Sequence, residues 1–323
     1  MIDIKLLEQL CLCNGISGDE GNVRNLIINE IKDCADDIKT DNLGNLIVFK
    51  KGKKSAKSKL MVSAHMDEVG LMVTDITSDG YLKFDEVGGI DRRVLPGKRV
   101  CVGRNGLNGV IGVKPIHLTN GDEKTAVPKM SDMYIDIGAE SREDALKYVN
   151  YGDSINFEGD FKINGKTVVT KALDDRFGCY VLINLIKSEP EYDMYFTFVV
   201  QEEVGLRGAR PAAFTVNPDF ALVIESTTAA DVAEVDASHQ VCNLSKGATV
   251  TVMDRATVYD KEMISAAFEL AEKNNIAVQY KRAVAGGNDS GAIHQSRGGV
   301  RTLAVSLPSR YIHAPSTAAN LDD

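Results

Sequence analysis

The chain has 323 residues, of which 44% are hydrophobic and 26% charged, with a formal net charge of −9. This length and apolar content indicate one or two folded domains rather than a disordered chain. The acidic balance argues against nucleic acid as a partner, because nucleic acid requires a basic surface.

The six cysteines are scattered and include no Cys-x-x-Cys pair, which is typical of reduced thiols in the cytoplasm. The charged N-terminus differs from a signal peptide, and no segment has the ~20 apolar residues of a membrane span. We therefore expect a soluble, cytoplasmic protein with no membrane partner.

The first segment predicts two helices followed by strands. Apolar residues recur with helical spacing over residues 3–13. Ser17 and Glu20 have the spacing of a capping box, which predicts a second helix over about 19–33. A turn at residues 42–45 separates two strands, and the apolar run 60–64 predicts a buried strand that ends at His65.

The composition changes between Gly70 and Ile163. Short alternating runs at residues 71–76, 99–102 and 109–113 are separated by glycine and asparagine, and one helical window covers residues 141–149. Such runs are typical of a small β-barrel or sandwich. We predict an inserted β-barrel domain at 70–163 and a second domain formed by 1–69 and 164–323.

Strands and helices alternate again after residue 164. Predicted strands lie at 167–171, 195–200, 220–224, 248–253, 277–280 and 301–306, and predicted helices at 175–187, 261–274 and 290–295. This alternation predicts an α/β fold of three layers, αβα, in which a mixed central sheet has helices on both faces.

Five potential metal ligands each follow the end of a predicted strand, directly or after a short loop: His65, Asp174, Glu203, Glu225 and His313. Taken singly, most of these positions are more typical of surface or structural residues. Together they bring carboxylate and imidazole groups to one edge of the sheet, where α/β proteins form their functional crevice. This mixture of imidazole and carboxylate ligands is typical of a hydrolytic site with two zinc, cobalt or manganese ions. It is less typical of a calcium or copper(I) site.

Two further acidic residues lie beside these candidates. Asp67 follows His65 by two residues, so its carboxylate can hold the imidazole in one orientation. Glu202 precedes Glu203, and because adjacent side chains diverge, one glutamate can bind metal while the other acts as general base. The remaining histidines lack such surroundings and are interpreted as structural or surface residues: His117, His239 and His294.

The chain resembles the dinuclear aminopeptidases of metallopeptidase family 42, the tetrahedral or deblocking (glutamyl aminopeptidase-like) enzymes, some of which are labelled cellulase M. The resemblance rests on five segments that span most of the chain: Ser63–Gly70, Val87–Ile90, Lys171–Arg176, Gln201–Ala209 and Arg310–His313. It implies that Asp174 bridges two metal ions. It further implies that His65 and Glu225 complete the ligand set of one ion and that Glu203 and His313 complete the ligand set of the other. Glu202 is then the general base.

The resemblance also implies the partners. The 70–163 insert resembles the family's dimerisation domain. The resemblance therefore implies a homo-oligomer built from dimers, up to a dodecamer. The chain departs from the family at Glu225, where aspartate is usual, and after His313, where Thr317 stands in place of a glutamate.

We therefore expect a metal-dependent aminopeptidase that hydrolyses the N-terminal residue from peptides, with a metal-bridging water and Glu202 as general base. An N-acyl-amino-acid deacylase would use the same metal chemistry, so the motifs barely separate the two. An endoglucanase is less favoured, because adjacent glutamates cannot flank a sugar ring and the chain lacks tryptophan. A non-catalytic metal-binding homologue is less favoured, because a structural metal site does not require a general base such as Glu202.

Overall fold

The computed structural model describes residues 2–323. Within this range the α-helices are α1 (Ile4–Leu12), α2 (Gly21–Ile31), α3 (Arg142–Ala145), α4 (Leu173–Lys187), α5 (Ala209–Val216), α6 (Lys261–Lys273) and α7 (Ser290–Ile293). The strands before the predicted insert are β1 (Asp37–Thr40), β2 (Leu46–Lys50) and β3 (Leu60–His65).

The strands within the predicted insert are β4 (Gly70–Ile76), β5 (Leu82–Val87), β6 (Arg99–Val102), β7 (Leu107–Gly112), β8 (Tyr134–Asp136) and β9 (Ser154–Phe157). Those that follow are β10 (Lys162–Asn164), β11 (Thr167–Thr170), β12 (Met194–Val199), β13 (Phe220–Thr228), β14 (Ala248–Val250), β15 (Val278–Tyr280), β16 (Arg301–Arg310) and β17 (Thr317–Asn320).

The larger sheet is mixed and has eleven strands. Its order is β1-β2-β12-β3-β13-β16-β17-β11-β10, with β14 pairing with β15 and β16. The central strands β12, β3, β13 and β16 are parallel, whereas the outer pairs β1–β2, β16–β17 and β11–β17 are antiparallel. The four parallel strands therefore end at the same edge of the sheet.

Helices cover both faces of this sheet. Successive side chains of a strand point to opposite faces, so one strand contributes apolar side chains to both. Val62 and Ala64 of β3 pack in one apolar cluster with residues of α1, α2 and α4. Met61 of the same strand packs in a second cluster with residues of α5, α6 and α7. The predicted three-layer α/β fold with a mixed sheet is confirmed.

The predicted barrel is also confirmed. Its strands form a closed antiparallel barrel in the order β4-β5-β8-β7-β6-β9, around an apolar core that includes Leu71, Val100 and Ile155. Strand β10 begins at Lys162 and already pairs with β11 of the larger sheet. The exact domain boundaries, with 70–163 as the barrel domain and 1–69 with 164–323 as the other domain, stay a prediction.

Several local predictions are wrong. The capping box does not form, because α2 begins at Gly21 with no side-chain cap. The Ser17 hydroxyl instead donates to the Asp67 carboxylate at 2.5 Å, and Glu20 accepts from the distant backbone N–H of Gln201 at 3.1 Å. Glu20 also accepts from the nearby Gly18 N–H at 2.7 Å, so both side chains bind groups outside the helix rather than cap it.

Helix α5 was not predicted, because Gly208 and Pro211 are typical of a loop. Pro211 is the third residue of the helix. The first backbone N–H groups of a helix have no partner within it, so proline is tolerated there. The short strand β17 was missed as well, and the predicted helix at 290–295 ends at Ile293.

None of the described helices is long and apolar enough to cross a membrane.

Candidate active site

Three parallel strands bring the first candidate residues to one edge of the sheet. His65, the last residue of β3, pairs in register with Val199, the last residue of β12. The loop with Glu202 and Glu203 follows β12 directly, and Glu225 lies within β13, the other neighbour of β3. The side chains of these residues therefore meet beyond the strand ends.

Asp174 reaches the same point from the start of α4. Asp174 and Asp175 have non-helical backbone angles, so the regular helix begins after them. The Asp175 carboxylate accepts from the Gly178 N–H at 3.0 Å and from the His65 N–H at 3.3 Å. Because Asp175 takes the capping position, Asp174 is free to face the strand ends.

The two carboxylate oxygens of Asp174 face two different histidines. Its Oδ1 lies 3.2 Å from His65 Nε2, and its Oδ2 lies 3.4 Å from His313 Nε2. Glu225 Oε1 is 3.4 Å from His65 Nε2, while Glu203 Oε2 is 3.1 Å from His313 Nε2. In each trio, one ligand atom per residue lies within 4.8 Å of the others. The structure thus brings all five candidate ligands together as two groups that share Asp174.

Both imidazole rings are oriented by backbone carbonyls. His65 Nδ1 lies 2.9 Å from the carbonyl oxygen of Asp67, whereas the Asp67 carboxylate is 3.6 Å away. His313 Nδ1 lies 2.9 Å from the carbonyl oxygen of Gly89. A carbonyl only accepts, so Nδ1 carries the proton in each ring and Nε2 is left to bind a cation.

The contact from Gly89 comes from the loop after β5 of the barrel and depends on its neighbour Gly88. Gly88 has φ +85°, and a Cβ there would lie 2.8 Å from Val69 Cγ1 and 3.2 Å from Glu203 Cβ. Glycine is required for such a backbone and such close packing. Sequence reasoning missed this support of His313, although the two adjacent glycines were a signal for it.

Asp67 holds the loop that carries the two glutamates. Its Oδ1 accepts from the Glu202 N–H at 3.0 Å, and its Oδ2 accepts from the Glu203 N–H at 3.1 Å and from the Ser17 hydroxyl. The Asp67 carboxylate therefore binds this loop and Ser17, whereas its carbonyl contacts His65. His65, Glu202 and Glu203 also form a compact group, with one ligand atom from each within 4.8 Å of the others.

The electrostatics of this cluster favour a bound cation. Burial, with the charge of Asp174, raises the pKa of Glu203 to about 8 and that of Glu225 to about 7. Burial and nearby carboxylates also raise the pKa of Glu202 well above its usual value. Within residues 2–323, Glu225 Oε2 is a buried oxygen without a hydrogen-bond partner. A divalent ion would neutralise these charges and give that oxygen a partner, so the residues fit a metal site.

The other histidines lie elsewhere, as expected. His117 and His239 are exposed. The Nδ1 of His294 lies 2.8 Å from the Ser290 carbonyl of its own helix. Each of the six cysteines is free.

A cavity of about 230 Å³ opens from the cluster of candidate ligands. Asp174, the two glutamates of the β12 loop, Glu225 and His313 line one side. The end of β13, Lys281 and the glycine-rich turn at Gly286–Gly287 line the other side.

The fold, a mixed α/β sheet with a barrel inserted between two of its strands, is that of known TET peptidases, and the chain is an aminopeptidase by likeness to them. The chain belongs to the M42 glutamyl aminopeptidase family, whose model matches residues 44–323.

Individual relatives cover almost the whole chain. A putative aminopeptidase of Acetivibrio thermocellus is 44% identical over 320 residues, which are 98% of this chain and 94% of the relative. A lysyl aminopeptidase of Pyrococcus furiosus is 33% identical over 335 residues, covering 100% of this chain and 94% of its own. The structure of the TET1 peptidase of Pyrococcus horikoshii matches with a TM-score of 0.87 and 40% identity, covering 99% of this chain and 95% of its own. That peptidase can assemble into a tetrahedron or a large octahedral shell.

Proposed function

We propose that this aminopeptidase holds two divalent metal ions, zinc or cobalt, and removes the N-terminal residue from peptides. Asp174 would bridge the ions, with His65 and Glu225 on one and Glu203 and His313 on the other. The observation that carries this proposal is that the two oxygens of Asp174 face two separate histidine–glutamate pairs. Bound ions of this kind lower the pKa of water and polarise a carbonyl group.

Glu202 is the residue proposed to move protons. It takes a proton from the attacking water and then delivers it to the amine that leaves when the peptide bond breaks. Its backbone N–H is fixed by Asp67, and its side chain lines the cavity beside the proposed metal ligands without being needed as one of them. A free glutamate next to a ligand set is the arrangement that this role requires.

Likeness to known aminopeptidases supports an exopeptidase. An aminopeptidase must bind the free α-amine of its substrate. An N-acyl-amino-acid deacylase would bind a blocked amine, which carries no charge. We propose the aminopeptidase over this alternative for that reason.

The proposal extends to assembly and location. The TET1 peptidase, similar over nearly the whole chain, forms large closed particles. We propose a homo-oligomer built from dimers, up to a dodecamer, and a cytoplasmic location consistent with six free cysteines.

The test is Glu202→Gln, assayed on aminoacyl-p-nitroanilides with the metal content measured in parallel. We expect kcat to fall at least about 100-fold, the lower part of the usual range for a general base, with metal content unchanged. Glu269→Gln on exposed α6 is the control and should retain full activity. A kcat within about tenfold of the original would contradict the role of Glu202.

Blocked and free peptides separate the remaining candidates. Faster hydrolysis of N-acetylated than of free aminoacyl substrates would support the deacylase instead. Two bound ions without turnover on any of these substrates would support a non-catalytic metal-binding protein.

A further inference from the structure

The loop that carries Glu202 begins with a residue in an unusual backbone conformation. Gln201 lies shortly after strand β12 and has φ +56°, in the left-handed region that residues other than glycine rarely adopt. A residue keeps such a conformation where its surroundings hold it there. Because Glu202 is the next residue, the turn at Gln201 sets the direction in which the chain delivers Glu202 to the cavity.

Glu20 binds the backbone at this turn. Its Oε1 accepts from the Gln201 N–H at 3.1 Å and from the Gly18 N–H at 2.7 Å. The Gln201 carbonyl accepts from the Arg207 N–H at 3.1 Å, a contact within the loop itself. Glu20 therefore ties the turn to a segment outside the loop.

Three consecutive backbone N–H groups of the loop are bound by two buried carboxylates. Glu20 accepts from Gln201, and Asp67 accepts from Glu202 at 3.0 Å and from Glu203 at 3.1 Å. Glu20 is 4% exposed and Asp67 is fully buried. Burying a carboxylate is unfavourable unless hydrogen bonds stabilise it, so each carboxylate and the loop hold one another in place.

The segment that carries Glu20 is anchored to the barrel. The Gly15 N–H donates to Asn156 Oδ1 at 3.2 Å, and the Ser154 hydroxyl donates to the Asp19 carboxylate. Asn156 and Ser154 both belong to β9. Glu20 thus reaches the loop from a support that is independent of the sheet strands carrying the proposed ligands.

We propose that Glu20 is a positioning residue for the general base: by binding the Gln201 N–H it directs the Glu202 side chain into the cavity. The inference rests on the proposed function, which makes Glu202 the residue that moves protons. Glu20 stands at the N-cap position of α2, yet its side chain makes no cap bond with that helix. Its replacement therefore removes the contact with the loop without removing a helix cap.

The test compares Glu20→Met with Glu20→Gln in metal-loaded protein, on the aminoacyl-p-nitroanilide that the wild type hydrolyses fastest. Glutamine keeps a carbonyl oxygen that can accept both N–H groups, whereas methionine has a similar length and no such acceptor. We expect Glu20→Met to lower kcat about 10–100-fold with KM and metal content unchanged, since misplacement by about 1 Å can cost about 100-fold. Glu20→Gln should stay within about threefold of wild type.

A double-mutant cycle separates positioning from general loss of structure. If Glu20 acts through Glu202, Glu20→Met should lower kcat less than about twofold further in a Glu202→Gln background. A structural effect would lower kcat equally in both backgrounds. Glu20→Asp keeps the charge but shortens the reach by one methylene, so it should show the same loss of kcat if Glu20→Met does not fold.

Hydrogen exchange tests the contact without any activity. In metal-free Glu20→Met, the backbone amides of residues 201–203 should exchange at least about tenfold faster than in wild type, as loss of a hydrogen bond to a charged group predicts. Mass spectrometry of the exchanged protein measures this. Glu30→Met is the matched control, because Glu30 lies at the other end of α2 and pairs with Lys187. It should leave both kcat and this exchange unchanged.

Three results would overturn the inference: a Glu20→Met kcat within about threefold of wild type, an equal loss of kcat in both backgrounds, or unchanged exchange at residues 201–203. A Glu202→Gln kcat within about tenfold of wild type would instead refute the proposed general base. Exchange at residues 201–203 then decides separately whether Glu20 holds the loop.

Discussion

Asp67 is the residue on which the geometry of the site most depends. It is fully buried, and its carboxylate accepts three hydrogen bonds, from the Ser17 hydroxyl and from the backbone N–H groups of Glu202 and Glu203. Its carbonyl oxygen orients His65. One residue therefore couples the position of a proposed metal ligand to that of the proposed general base.

Asp67→Asn tests this coupling. The amide NH₂ of asparagine cannot accept, so one of the three donors loses its partner, at a cost of about 1–3 kcal/mol. If the loop shifts to restore a partner, Glu202 leaves its position, and we expect kcat to fall about 10–100-fold while the protein still binds metal. The measurement is steady-state kinetics with metal analysis.

Ser17→Ala is the control for this prediction. It removes one hydroxyl donor but leaves both backbone contacts of Asp67, so activity should stay within about fivefold of the original. An Asp67→Asn kcat within twofold of wild type would show that the loop holds itself in place without this carboxylate.

At the scale of elements, a buried arginine joins segments that are far apart in the chain. Arg176 of α4 is fully buried. Its guanidinium donates to the carbonyls of Leu10 at 2.7 Å, Cys13 at 2.6 Å and Met66 at 2.7 Å, and also to Gly15 and Glu68. It thereby connects the end of α1, the loop before α2 and the residue after His65 to α4, whose first turn carries Asp174.

Arg176→Met should destabilise the protein strongly. Methionine leaves the carbonyl acceptors and the buried Glu68 carboxylate with fewer partners, and breaking a buried charge pair costs about 3–5 kcal/mol. The free energy of unfolding, measured by urea denaturation followed by circular dichroism, should fall by this amount. Arg210→Met, at an exposed position of α5, should change it by less than about 0.5 kcal/mol. A loss below about 1 kcal/mol at Arg176 would contradict the prediction.

At the scale of the whole molecule, the proposed metal site joins the sheet to the barrel. His313, from the loop between β16 and β17, is oriented by the Gly89 carbonyl, which lies 224 positions earlier in the chain. Glu203 packs against Gly88 of the same barrel loop. Metal binding should therefore stabilise the contact between the two parts as well as the site itself.

Removal of metal should lower the melting temperature. Without cations, the buried carboxylates repel one another, as the raised pKa values of Glu203 and Glu225 indicate. A ligand that binds only the folded state adds about 2.7 kcal/mol at 100 times its Kd. Scanning calorimetry after chelation and after zinc or cobalt is restored measures the effect.

Asp174→Asn is the matched control, because it weakens the shared ligand of both groups and should make the melting temperature far less sensitive to added metal. An unchanged melting temperature of the original protein with and without metal would contradict the proposed site.

The convergence of the candidate site residues could be predicted from the sequence, because each follows a local pattern, while their roles stay a proposal. His65 and Glu225 stand at the end of apolar strand-forming runs, and Glu202 and Glu203 follow another. Parallel neighbours then bring those ends to one edge of the sheet. The alternating, glycine-rich texture of residues 70–163 likewise predicted the barrel.

The failures concern residues whose partners are distant. Ser17 and Glu20 have the spacing of a helix cap, yet they bond to Asp67 and Gln201, which no local pattern indicates. Helix α5 was missed because Gly208 and Pro211 are loop-forming residues in isolation, although its apolar side chains pack in the second core cluster. Tertiary contacts outweighed local propensity at both places.

By itself, the sequence determined the three-layer α/β fold and the barrel, since these follow from periodicity and composition, and it predicted the candidate ligand residues as a group. Only the tertiary structure decided that Asp174 faces two histidines, that a barrel carbonyl orients His313 and that Lys281 faces the cavity. Each of these depends on the relative position of segments that are far apart in the chain, and packing of the whole molecule sets that position.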